Sequence, residues 1–171
     1  GMDGFADIDQ TEISQVISET LAPLSREGGE NPAKVVEDLR ELMQEKVGII
    51  RQGQQLQEAI DELEAFRKRE SATSPGGTRI YNPGWHQALE IGAMIDISKM
   101  CAIAALAREE SRGGHTRLDF PTPNHGHWGK INSVIVMSAE GDMELDHVKY
   151  PPISDDLKAL LDADDLHEEG G

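Results

Sequence analysis

Apolar residues recur at helical spacing through most of the first 107 positions. Ile13, Val16, Ile17, Leu21 and Leu24 form a first stripe, with Asp9 and Glu12 spaced as a capping box and Pro23 with Gly28-Gly29 expected to close the segment. Asn31-Pro32 is a cap residue followed by proline at the first helical position, and Val35, Val36, Leu39, Leu42, Met43, Val47 and Ile50 continue at three-and-four spacing. Gly48 and Gly53 bracket Ile49-Ile50-Arg51 and predict a break, after which Leu56, Ala59, Ile60, Leu63 and Phe66 resume the pattern. This third helix ends in Arg67-Lys68-Arg69-Glu70, read as a solvated helix end that complements the helix dipole.

Residues 71–81 hold Ser-Pro-Gly-Gly and predict a loop; Asn82-Pro83 repeats the cap-plus-proline signal. From Trp85 to Ala107 the chain is apolar or small almost all round, which predicts a helix buried on most faces at the centre of an antiparallel bundle. Met94 and Met100 read as core filler. Beyond Arg108 the period changes. Residues 111–130 are a long polar loop. Ile131 and Val134 to Met137, a turn at Glu140-Gly141-Asp142, then Met143, Leu145, Val148 and Tyr150 predict a β-hairpin. Ser154 can cap a short helix carrying Leu157, Leu160, Leu161 and Leu166. The expected fold is mainly α: an antiparallel three-helix bundle, spectrin-repeat-like, with an N-terminal extra helix and a small C-terminal β-hairpin plus short helix. The expected division is an N-terminal helical extension over 1–30, the bundle with its following loop over 31–130, and the hairpin, short helix and acidic tail over 131–171.

Composition narrows the function classes. The chain has 171 residues and a formal charge of −16. A surface of that sign repels phosphate backbones and anionic lipid, which argues against nucleic-acid partners and electrostatic membrane docking. Residues 1–30 and 151–171 each hold seven acidic residues against one basic, so the acidity belongs mostly to the two ends and the middle is nearly balanced. No apolar run reaches 18 residues without a charge, so no direct membrane insertion is expected. No secretory leader is recognisable, and Gly1 ahead of Met2 reads as a residue left by tag removal from a piece of a longer protein. Cys101, the single cysteine, sits among apolar neighbours in sequence and fits a reducing, cytoplasmic setting.

The densest cluster of chemistry runs from Glu109 to Pro121. Read from chemistry alone it is a helix exit: Gly113 or Gly114 takes positive φ at the cap, while Arg112, His115, Arg117 and Asp119 tie the loop down through charge-assisted hydrogen bonds. The competing reading has Arg112, His115 and Arg117 facing an anion such as a carboxylate or a cofactor phosphate. His125-Gly126-His127, with His115 and Asp119, could converge on Zn²⁺, but His-x-His in a Gly and Pro loop is weak evidence for a metal site. The acid pairs Glu109-Glu110 and Asp155-Asp156 are adjacent rather than facing, and read as a helix end and a helix start. No phosphate-cradling loop, nucleophile elbow or dinucleotide fingerprint is present.

The run Ala104-Ala105-Leu106-Ala107-Arg108-Glu109-Glu110-Ser111-Arg112-Gly113-Gly114-His115-Thr116-Arg117-Leu118-Asp119-Phe120-Pro121 closely resembles the signature ending the helical C-terminal domain of the succinate dehydrogenase and fumarate reductase flavoprotein subunits, shared with L-aspartate oxidase. Gly29 to Pro32, Leu39 to Met43, Val47 to Arg51 and Asn82 to Ile95 follow in the family's order, so the resemblance covers roughly residues 28–130. It implies a three-helix bundle, in agreement with the periodicity. It also implies that FAD, the dicarboxylate site and the proton-shuttling arginine belong to preceding flavin and capping domains, and that this stretch holds no catalytic or cofactor-binding residue and no metal. Ser111, Arg112, His115, Arg117 and Asp119 are then expected at an interdomain interface. The implied partners are those two domains and the iron-sulfur subunit of a complex peripheral on the inner face of the membrane. The continuation from Trp128 to Pro152 favours the respiratory enzyme over an L-aspartate oxidase-like parent. The alternatives are a free-standing acidic helical interaction module docking through Leu157, Leu160 and Leu161, and a His-loop metalloprotein. A bundle face left bare of its neighbours is expected to favour dimerisation.

Overall fold

The computed structural model describes residues 9–160, and the chain divides into two compact units with the boundary after Pro123. The first unit holds α1 (Gln10–Ser25), α2 (Pro32–Lys46), β1 (Ile50–Arg51), α3 (Gly53–Ser71), α4 (Pro83–Ala107) and β2 (Thr116–Arg117). The boundary falls seven residues before the expected one at 130, and residues 10–30 belong with the bundle.

α2, α3 and α4 form the bundle. Its core joins Val35, Val36, Leu39, Leu42 and Val47 to Leu56, Ala59, Leu63 and Phe66 and to Ile91, Ile95, Ala102 and Ala105, with Met43, Ile60, Met94 and Leu106 packed at its edge. Antiparallel order is visible in the ion pairs. Lys46, at the end of α2, reaches Glu58 and Glu62 in the first half of α3 at 2.9 and 2.7 Å. Arg69, at the end of α3, pairs with Glu30 and, at 2.6 Å, with Asp38 at the start of α2. Arg67 turns to α4, where it meets Asp96 and the carbonyl of Gly92. The basic run ending α3 is therefore not simply a solvated helix end: two of its three cations clamp neighbouring segments.

Asn31 and Asn82 cap α2 and α4 as expected, their side chains accepting from Ala33 N and Trp85 N at 2.9 and 3.0 Å. Asp9 caps α1 by accepting from Thr11 N at 2.8 Å. That helix does not stop at Pro23 but runs through it to Ser25. Proline removes only the bond its missing N–H would have made, and so close to the helix end the loss is tolerated. Trp85 Nε1 donates to the Thr20 carbonyl at 2.8 Å and ties α1 to α4, yet Val16 and Ile17 of the predicted stripe remain more than half exposed. After α1, Glu30 N donates to the Ala72 carbonyl at 3.1 Å and Ser74 N to the Glu30 carbonyl at 2.9 Å, a short pairing beside the end of α3. A Cβ on Gly29 would lie 2.7 Å from Ser74 Cβ and would strike the Ala72 carbonyl. Gly29→Ala is accordingly expected to destabilise the chain by about 1–3 kcal/mol, the usual cost of forcing a methyl group into a filled site, read as a lower urea midpoint.

The second unit opens with a 3₁₀ turn over Trp128–Lys130, followed by β3 (Ile131–Met137) and β4 (Met143–Lys149). These strands form the expected antiparallel hairpin, in register from Ile131 opposite Lys149 to Met137 opposite Met143. Gly141 takes φ 89° in the connecting turn, which Ser138 N closes by donating to the Asp142 carbonyl at 2.8 Å. Trp128 stands edge-on to both His127 and His147, at centroid distances of 4.8 and 5.1 Å. Residues 155–160 are helical after Ser154, whereas Leu161 and Leu166 of the predicted stripe lie outside the described residues.

Candidate functional site

α4 ends at Ala107, six residues before the glycine pair, so Gly113 does not cap the helix as expected. The two glycines instead form the tip of a tight turn. Arg112 and His115 exchange backbone hydrogen bonds across it at 2.8 and 3.0 Å, and Gly113 alone of the pair takes positive φ, at 55°. The chain then enters β2, which pairs in parallel with β1: Thr116 N donates to the Ile49 carbonyl at 3.1 Å and Leu118 N to the Arg51 carbonyl at 2.9 Å. Ile50, read as part of the α2 stripe, lies on β1 and is exposed, because α2 ends at Lys46.

Arg117 is the centre of the arrangement and is only 2 % exposed. Its Nη1 donates to the carbonyls of Ala105 and Leu106 at 2.9 and 2.8 Å and more weakly to that of Arg108 at 3.3 Å, satisfying acceptors left open at the end of α4. Its Nε and Nη2 form a two-pronged fork with Asp119, both bonds 2.8 Å long. Asp119 Oδ2 also accepts from Gly53 N, the first residue of α3, at 3.1 Å. A cation thus sits at the negative end of one helix dipole and a carboxylate at the positive end of the next, joined by their own salt bridge. The Arg117 fork holds the Asp119 carboxyl well below the usual range, at about 2.

Ser111 and His115 complete the fastening. Ser111 Oγ accepts from Arg117 N at 2.9 Å and donates to the Phe120 carbonyl at 2.9 Å. His115 Nε2 meets the Arg108 carbonyl at 3.0 Å, and Nδ1 meets Arg51 Nη1 at 2.5 Å. Glu110 is fully buried and receives Arg108 Nε and Arg112 Nε, each at 3.0 Å. The tie-down reading is what the geometry realises: Arg117 and Asp119 face each other, Arg112 faces Glu110, and His115 faces a guanidinium. Arg51 and Gly53 were missed as members of this cluster. The only signal for them was the Gly48 to Gly53 break.

Among the described residues no three His, Cys, Asp or Glu side chains converge so as to hold a metal ion. Gly113-Gly114 closes a hairpin-like turn and does not open a helix. Two of the exposed surfaces lie at this loop and on α4. The rim of the turn exposes Gly113, Gly114 and Leu118. One stripe of α4 exposes Leu89, Ala93, Ile97 and Cys101, which corrects the expectation that this helix is buried on most faces.

The class so defined is a helical bundle whose signature loop fastens helix ends. Residues 36–159 match the family described as "Fumarate reductase flavoprotein C-term", and the chain belongs to it. It is similar to the fumarate reductase flavoprotein subunit of Helicobacter pylori (strain ATCC 700392 / 26695), 34% identical over 142 residues that cover 79% of this chain and 20% of that protein. It is also similar to the succinate dehydrogenase flavoprotein subunit of Coxiella burnetii, 29% identical over 126 residues that cover 73% of this chain and 20% of the relative. Among solved structures, Mycobacterium smegmatis Sdh1 in complex with UQ1 superposes with a TM-score of 0.82 at 31% identity, over 98% of this chain and 28% of that one. The chain therefore spans about a fifth of the length of these curated relatives. Among the described residues no helix is long and apolar enough to cross a membrane.

Proposed function

We propose that this chain is the helical C-terminal part of a succinate dehydrogenase or fumarate reductase flavoprotein, and that its role is to buttress the flavin and capping domains of its parent. FAD, the dicarboxylate site and the interconversion of succinate and fumarate belong, on this reading, to the preceding domains. The iron-sulfur subunit and the inner face of the membrane are the parent's wider setting. The observation that carries the reading is the division of labour in the signature loop. Arg117, Asp119, Ser111 and His115 bond inward and leave no open polar constellation, while the rim at Gly113, Gly114 and Leu118, together with the α4 stripe, is bare. Bare apolar surface rimmed by polar groups marks a contact face. Within the loop, Arg112 and Leu118 are the side chains placed to meet a neighbouring domain, and Ser111, His115, Arg117 and Asp119 hold the rim in shape. The family match through residue 159 includes the hairpin, which supports the respiratory enzyme over a parent that ends at the signature.

The test expresses the parent flavoprotein as two pieces, the upstream part and this chain. The chain alone is expected to be colourless and inactive, and its addition should restore succinate-dependent dye reduction by the upstream piece. Stoichiometric flavin on the chain alone would falsify the assignment.

A further inference from the structure

The hydrogen bonds around His115 leave its imidazole a single protonation state. Nε2 faces the Arg108 carbonyl oxygen at 3.0 Å, an acceptor, so Nε2 carries the proton. Nδ1 faces Arg51 Nη1 at 2.5 Å, and a guanidinium has donors only, so Nδ1 must be the bare lone pair. Arg51 is itself committed elsewhere: its Nε donates to the carbonyls of Gly48 and Val47 at 2.6 and 3.2 Å, closing the end of α2. The imidazole thereby links three chain segments, the exit of α2, the parallel pairing of β1 with β2, and the exit of α4.

A second proton on His115 would enter at Nδ1 and place donor against donor and cation against cation. The charged groups around the ring are Arg51 on β1, Arg117 on β2 and Arg108 after α4, all cations. Two carboxylates of the same loop are engaged with arginines, Glu110 with Arg108 and Arg112 and Asp119 with Arg117. None of the three charged groups at the ring is an anion that would welcome an imidazolium.

We propose that His115 is an acid-released latch: neutral, it holds Arg51 and closes β1 onto β2; protonated, it lets Arg51 go and the turn at Arg112 to His115 detaches from the α2 exit. This concerns a conformational device inside the chain and stands whether or not the assignment to a respiratory flavoprotein holds. Partial burial and the neighbouring cations both push the imidazole below its ordinary range. The sign follows. The unfolded chain binds the proton first, so the latch is closed above about pH 6.5 and its contribution is lost as pH falls from there through the folded value.

The experiment follows amide exchange of Thr116 and Leu118, the two donors of the β1–β2 pairing, between pH 7.5 and 5, corrected for intrinsic rates, alongside the ring ¹⁵N shifts of His115. The expected result is a neutral imidazole with its proton on Nε2, titrating below about 6.5. Protection of both amides should fall about tenfold for each pH unit separating the folded from the unfolded value. His115→Gln, which offers an oxygen to Arg51 and does not titrate, should abolish that loss while the core amides of α3 exchange as before. If His115→Gln does not fold, Arg51→Lys provides the second arm: it removes the fixed guanidinium fork, and the imidazole should then titrate closer to its ordinary range. An imidazole that titrates normally in the unmutated chain, or protection of Thr116 and Leu118 that does not change while the imidazole titrates, overturns the proposal.

Discussion

Replacing Arg117 with leucine is expected to lower the unfolding free energy by about 3 kcal/mol, the low end of the range for breaking a buried ion pair. The low end applies because Asp119 is about one-third exposed and can rehydrate, whereas the Ala105 and Leu106 carbonyls lose their donor inside the fold. Arg117→Lys should recover little of the loss, since an ammonium cannot span both Asp119 oxygens and the helix carbonyls together. The check is the urea midpoint by circular dichroism at pH 7; a change below about 1 kcal/mol would mean that the fork is ornamental. The same pair sets an acid limit. The Asp119 carboxyl titrates at about 2 in the folded chain and near 3.8 when unperturbed, so its contribution is full above pH 4 and is lost as pH falls toward 2. Asp119→Asn should flatten that part of the acid-unfolding curve.

The bundle was legible because its signals are local and repeated. Asn31-Pro32 and Asn82-Pro83 mark two helix starts, and Leu39, Leu56 and Leu63 fall on core faces as their spacing requires. The hairpin was legible for the same reason, its apolar strands being separated by Glu140-Gly141-Asp142. What the sequence does not display is partnership over distance. Nothing local tells Arg51 that it will meet His115, 64 residues on, or Gly53 that its N–H will meet Asp119, 66 residues on. A two-residue strand has no period of its own, so Ile50 was counted with the helix that its spacing happened to continue. The basic run after Phe66 misled in the same way: charge alone cannot distinguish a solvated end from Arg69 closing on Glu30 and Asp38. The signature residues were recognisable as a set, but the pairing that gives each its work is a tertiary fact.

α4 is where fold and proposed role can be separated by two substitutions two residues apart. Ile95 is 1% exposed and packs in the bundle core; Ile97 is 61% exposed and lies with Leu89, Ala93 and Cys101 on a stripe with a four-residue period. A helix apolar on every side belongs where every side is covered, yet the bundle covers only part of α4. The bare stripe is therefore where the rest of the flavoprotein is expected to sit. Ile97→Asp should leave the urea midpoint of the chain alone unchanged within about 0.5 kcal/mol, as for most exposed substitutions, because the charge stays in water. In the two-piece assembly the same charge would be taken out of water without a partner. Its affinity for the flavin-bearing piece should drop roughly a hundredfold, the loss of a central apolar contact at an interface, and restored dye reduction should drop with it. Ile95→Asp, which buries the charge inside this chain, should abolish folding and so mark what a mere stability defect looks like. Titration calorimetry with the upstream piece distinguishes the outcomes: full affinity with Ile97→Asp would show that the stripe faces solvent in the parent, and that the contact lies elsewhere, at the Gly113 to Leu118 rim.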